Sequence, residues 1–146
     1  MPTNEEGKMN LRIFPALIKC FKDYGYLKYQ SLEMKDTEIM ICLFIYYHSS
    51  INQDEIARAH GLDKTTIAKA LSKLEEKKII LRKVNPKNRR ENMISLTDMG
   101  KEKATQLILI RDKWVKEVCK TISEEDMDTF ERVCNEVLNN AEKLLE

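Results

Sequence analysis

Glycine and proline are scarce in this 146-residue chain, at 4 and 3. So few turn formers leave room mainly for long elements, and a mostly helical protein is expected. Long hydrophobic runs are missing too. The longest, Ile39 to Tyr47, falls well short of the roughly 20 apolar residues that a helix needs to cross a bilayer. The opening residues Met1-Pro2-Thr3-Asn4-Glu5-Glu6 are polar and acidic, with no apolar segment behind them. No signal peptide and no membrane attachment are therefore expected, and the cytoplasm is the expected location. The two histidines, His48 and His60, lack ligand spacing, so neither metal nor cofactor is expected. Cys20, Cys42, Cys119 and Cys134 share no CxxC spacing and sit inside apolar helical patterns, where they read as buried thiols. A glycine-rich phosphate loop and a Ser/His/Asp set are also missing, and the expectation is a protein without enzyme activity.

What is present is charge, unevenly placed. The net charge is only +1. Yet Lys64 to Arg90 holds Lys64, Lys69, Lys73, Lys77, Lys78, Arg82, Lys83, Lys87, Arg89 and Arg90 against Glu75 and Glu76, while Ser123 to Glu146 holds eight acids against Arg132 and Lys143. A basic centre and an acidic tail hide inside a neutral total, and the basic centre suits nucleic acid.

Apolar spacing divides the chain into elements. Residues up to about Asn10 read as a loose arm. Phe14, Leu17, Ile18 and Phe21 recur at helical intervals, and Pro15 either opens this helix in its first turn or kinks it. Thr37 to His48 is apolar nearly all round (Ile39, Met40, Ile41, Leu43, Phe44, Ile45), as befits a central buried helix. Asn52 and Glu55 form a capping box for a short helix over about Gln53 to His60. After Gly61-Leu62, Asp63 caps a helix from Lys64 to about Lys77, with Ile67, Ala70, Leu71 and Leu74 on its apolar face. The period then changes to that of strands over Ile79–Val84 and Asn92–Leu96. Asn85 to Glu91 lies between them, longer than a plain hairpin needs. Thr97 starts a long helix to about Cys119, and Ser123 with Asp126 starts the last one. Its Met127, Phe130, Cys134, Val137, Ala141 and Leu144 alternate steps of three and four, a heptad-like seam that must bury somewhere; a homodimer is expected, with packing inside the chain as the other reading.

The central block is therefore helix, glycine turn, helix and hairpin. Ala57 lets two helices cross closely, Gly61 supplies a positive φ, and Asp63 starts the second helix. The polar face of that helix, with Thr65, Thr66, Lys69, Ser72 and Lys73, offers short polar and basic groups suited to base edges and phosphates in a major groove. A merely solvated face is the plainer reading of such residues, and the hairpin that follows argues against it. Lys87, Arg89 and Arg90 stand at its tip, where guanidinium groups suit the narrow minor groove. Either arginine has a second reading, as a brace between wing and body.

These residues resemble the MarR family of winged-helix regulators. The stretches that carry the likeness are Asn52–Ala57, Gly61–Thr66, Leu74–Ile80, Asn85–Arg90 and Ser95–Gly100, in matching order and spacing over about fifty residues. The resemblance implies one mainly α domain over 1–146 with a small β-wing. Its winged helix-turn-helix, the DNA-binding lobe, covers about 35–100, and N- and C-terminal dimerisation helices cover about 9–30 and 101–146. It implies a homodimer on a pseudo-palindromic operator in double-stranded DNA, acting as a repressor released by a small ligand. Carried over by position, Thr65, Thr66, Lys69 and Lys73 fall where the family reads the major groove, and Arg89 and Arg90 fall in its wing motif. Asn85 and Asn88 replace the family's usual acids, which weakens an Asp–Arg brace. Lys78 replaces a glycine, so the recognition helix is expected to end without a glycine cap.

The resemblance also implies a pocket for a phenolic or anionic effector, with Phe21, Tyr24, Tyr29, Phe44, Tyr47 and His48 as candidates by position. Plain core packing is the other reading of the same aromatics. Cys20, one helical turn from Tyr24, is a candidate redox sensor by analogy with thiol-sensing relatives. The competing function class is a winged helix used for protein–protein contact.

Overall fold

A computed structural model of the protein describes residues 12–86 and 88–144, and the side chains of residues 89–91 also lie outside what it describes. Six helices and one hairpin follow in the order α1 (Ile13–Tyr29), α2 (Asp36–His48), α3 (Gln53–His60), α4 (Lys64–Glu76), β1 (Ile80–Asn85), β2 (Asn88–Leu96), α5 (Asp98–Cys119) and α6 (Glu124–Lys143). A short 3-10 turn, Gln30–Leu32, joins α1 to α2 and was not foreseen.

The helix starts follow from local chemistry. Asn52 and Glu55 cap α3 reciprocally, at 2.9 and 2.7 Å. The Thr97 hydroxyl accepts from Gly100 N (3.0 Å) at the start of α5, and Ser123 Oγ accepts from Asp126 N (3.1 Å) at the start of α6. Each satisfies an amide that its helix leaves unpaired. Gly61 ends α3 at φ +59°, as the turn requires.

The end of α4 has no glycine, as expected. It keeps the left-handed cap without a glycine: Lys78 itself takes φ +59°. Ile79 N donates to Leu74 O (2.9 Å) and Lys78 N to Glu75 O (2.9 Å), the paired bonds of a Schellman motif.

The chain divides into two compact units, with the second starting at Lys113. In the first, the core gathers Ile41, Cys42 and Ile45 of α2, Ile56 of α3, Ile67, Leu71 and Leu74 of α4, Ile79 and Ile80, Ile94 of β2, and Ala104 and Leu107 of α5. The apolar α2 is buried as expected. β1 and β2 pair antiparallel from Ile80↔Leu96 to Val84↔Asn92, and the register shifts before Asn85↔Asn88. Ile51 adds a bridge to Ile94, with N–H···O bonds of 3.2 and 2.7 Å in the two directions. This pins the base of the hairpin to the segment before α3.

The predicted seven-residue loop is thus a correction. β2 begins at Asn88, so both arginines belong to the strand rather than to a loop. In the second unit, α6 has no buried residue. The cysteines also differ from expectation. Only Cys42 is buried, Cys119 and Cys134 are half-buried, and Cys20 is exposed on α1. Burial pushes the Cys42 thiol up to about 11, so it is inert at neutral pH.

Candidate nucleic-acid interface

The candidate reading face is built on α4, and its position is set from the opposite side. Ile67, Leu71 and Leu74 are fully buried, so the helix cannot rotate without exposing them. That geometry turns Thr65, Lys69, Ser72 and Lys73, spaced by four, seven and eight residues from the first, outward together, and all four are exposed. Thr66 is half-buried and already engaged. Its amide (2.8 Å) and its hydroxyl (2.5 Å) both donate to the Asp63 carboxylate, holding that acid below the usual carboxylate range. The helix N-terminus is thus capped by an acid, and Thr65 is the threonine presented outward.

An open groove of about 560 Å³ runs along this face, lined by Thr65, Lys69, Ser72 and Lys73 on one side and Lys35 and Thr37 of the α2 start on the other. Lys35 and Thr37 were missed in the sequence. They lie outside the helix-turn-helix pattern, and only the fold brings them to α4.

The cation count overstates the charge available here. Lys64 pairs with Asp54 (2.9 Å), Lys73 with Glu76 (2.9 Å), Lys77 with Glu38 (2.6 Å) and Arg82 with Glu75 (3.1 Å). The Lys64 and Lys73 pairs are solvent-exposed and weak, so those ammonium groups stay available. The Lys77 and Arg82 pairs are not of that kind. Glu38 is only 3% exposed. Arg82, on β1, pairs with Glu75 near the end of α4 and so braces the wing from its first strand. Lys87 and the side chains of Arg89 and Arg90 lie outside the described residues. Asn85 and Asn88 face each other across the hairpin end.

The six aromatic candidates do not form one cluster. Phe44 and His48 stack, with ring centroids 4.1 Å apart, and His60 meets the edge of Phe44 at 4.9 Å. Burial among these rings and the nearby His48 hold His60 below the ordinary histidine range. Tyr24 lies under Lys28 at 5.9 Å. Tyr29 packs against Gly25 and the core. Tyr47 Oη accepts from Arg111 Nη1 (2.8 Å), and Phe21 is half-buried on α1. Burial raises the Tyr29 hydroxyl above its usual value while the charge of Arg111 opposes the shift, so Arg111 stands near both Tyr29 and Tyr47. Arg111 was not singled out in the sequence. It follows the apolar run Leu107–Ile110 of α5, with no motif to mark it.

Helix, glycine turn, capped helix and hairpin, buried on one face and polar on the other, define a winged helix-turn-helix protein. Residues 34–92, the winged-helix segment, match the model of the MarR family. An uncharacterized HTH-type transcriptional regulator of Bacillus subtilis (strain 168), YdgJ, is 23% identical over 110 residues, spanning 73% of this chain and 67% of the relative. The crystal structure of a MarR protein matches with a TM-score of 0.82 at 23% identity, over 97% of both chains. A putative MarR family transcriptional regulator from Listeria monocytogenes, solved in complex with a 26mer DNA, also reaches 0.82 at 18% identity, over 91% of this chain and 89% of that one. No helix among the described residues is long and apolar enough to cross a membrane.

Proposed function

We propose that this protein is a homodimeric transcriptional regulator that reads double-stranded DNA sequence-specifically, a repressor released by a small phenolic or anionic effector. One observation carries the reading: α4 is locked into the core by one face and presents Thr65, Lys69, Ser72 and Lys73 together on the other. Such a helix enters a major groove with base-reading and phosphate-holding groups side by side. Arg89 and Arg90, on the hairpin strand, take the adjacent minor groove, and Lys87 takes the phosphates beside it. The DNA-bound Listeria relative supports this placement by its likeness in fold.

The homodimer is supported by apolar rows left exposed among the described residues: Ile13, Phe14, Leu17 and Ile18 on α1, and Phe130, Val133, Val137 and Leu138 on α6. The effector reading is supported by Arg111 beside Tyr29 and Tyr47, a cation next to phenol groups that suits an anion with an aromatic body. Exposure of Cys20 favours a second reading of the signal, thiol oxidation. Peroxide treatment that leaves DNA affinity unchanged eliminates it.

The primary test is selection of bound duplexes from a random pool, followed by titration at several salt concentrations. A pseudo-palindromic site is expected, with half-sites about one helical turn apart. Lys69→Ala should lower the log–log salt slope by about 0.9, the value for one lost phosphate contact. Failure to retain any duplex in a salt-dependent way would leave the winged helix as a protein-contact module.

A further inference from the structure

Lys77 sits inside the basic stretch, yet its ammonium group is engaged within the protein. As the residue that closes α4, it donates to Glu38 Oε2 (2.6 Å) and to the Glu33 carbonyl (2.7 Å). Glu38 is buried at the first turn of α2, where its carboxylate also accepts from Lys35 N (3.2 Å). From the other side, Lys103 of α5 donates to the Leu32 carbonyl (3.1 Å). The two carbonyls that end the α1 segment, at Leu32 and Glu33, are therefore each taken by a lysine, one from α5 and one from α4. Glu33 turns left-handed at φ +52°, directly after the 3-10 turn.

We infer that Lys77 is a positioning residue for DNA reading: it ties the C-terminal end of the recognition helix to the α1–α2 junction and contacts no phosphate. This rests on the DNA-reading proposal above. The physical ground is the cost of a stranded charge. A carboxylate as deeply buried as Glu38 needs its cation, and without Lys77 it must draw in water or move. Either change displaces the end of α4, on whose last two turns Ser72 and Lys73 stand. Phosphate contacts made by other cations remain, so sequence-specific affinity falls while sequence-independent affinity is kept.

The test uses the full-length protein and two duplexes, one selected and one scrambled, over a range of salt. Thermal unfolding is run alongside so that affinities refer to folded protein. Lys77→Met should weaken the selected duplex on the order of tenfold, leave the scrambled duplex within about twofold, and leave the salt slope unchanged. A role confined to stability would lower the active fraction for both duplexes alike. Combining Lys77→Met with Glu38→Gln removes the stranded charge and keeps the acceptor for the α2 start, so it should restore specific binding to within about threefold of the unchanged protein.

A slope reduced by about 0.9 in either variant would place Lys77 on a phosphate and overturn the inference. So would unchanged specific affinity in folded Lys77→Met, or a double variant no better than the single one. If Lys77→Met does not fold, the double variant carries the slope measurement alone. If the unchanged protein holds no duplex, the DNA reading falls and this inference falls with it.

Discussion

The winged-helix part and the C-terminal helix use apolar residues in opposite ways. In the first, Ile41, Ile56, Ile67, Leu71, Leu74 and Ile79 reach 0% exposure around one core. In the second, Phe130 remains 53% exposed and Leu138 55%, on a helix with a well-formed apolar stripe and no buried residue. The same periodic spacing thus has two meanings. A stripe buried among other elements makes a core, and an exposed stripe is a surface suited to a partner. The winged helix has the means to be stable alone. On the homodimer proposed above, the α6 face gains its stability through association.

The sharpest way to break this contrast is substitution on both sides. Leu71→Ala, at a fully buried site, should lower unfolding free energy by about 3 kcal/mol at any protein concentration, read by denaturant titration. Phe130→Asp should act differently. It should cost about 2 kcal/mol or more of association free energy, seen as monomers in sedimentation, and abolish the dependence of Tm on protein concentration. If Phe130→Asp unfolds the protein independently of concentration, the α6 face belongs to an intramolecular core and the contrast is wrong.

Smaller effects test the winged helix alone. Lys78 holds a left-handed conformation that disfavours a side chain, so Lys78→Gly should raise stability by roughly 0.5–1 kcal/mol in the same titration. The smallest effect is set by pH. His60 is held below its ordinary 6.5 by burial and by His48, so the unfolded chain binds the extra proton more readily. Stability should therefore fall as pH drops below 6.5 toward the depressed value, and His60→Phe should flatten that part of the profile.

Most of the fold was legible because its signals are local. Asn52 with Glu55, Gly61, Asp63 and Ser123 each act within four residues, and the helices they bound are found where the spacing placed them. The wing was only half legible. Asn88 to Glu91 are polar residues that look like a loop, yet β2 begins at Asn88, which pairs with Asn85 beyond a register shift that the side chains do not announce. The polar face of α4 was legible as a helical pattern, whereas its tertiary neighbours were not. Lys77 meets Glu38 from 39 residues away, and Arg111 meets Tyr47 from 64. Lys77 and Lys69 look alike in a charge count, and burial of the partner alone separates them.

Gly100 lends a different significance to the start of α5. A Cβ built there would lie 2.0 Å from the Ile79 carbonyl oxygen, and that same oxygen already accepts from Thr97 N at 3.0 Å. Gly61 differs: no atom lies within 4 Å of its absent Cβ, and only its backbone angle matters. In the vocabulary of protein engineering, the two glycines set opposite tolerances. The turn at Gly61 has space for asparagine, a residue that accepts the left-handed angle. The joint at Gly100 has room for no side chain at all, since backbone would have to move to admit even a methyl group. A splice, tag or inserted domain placed there would pry the long helix from the foot of the wing.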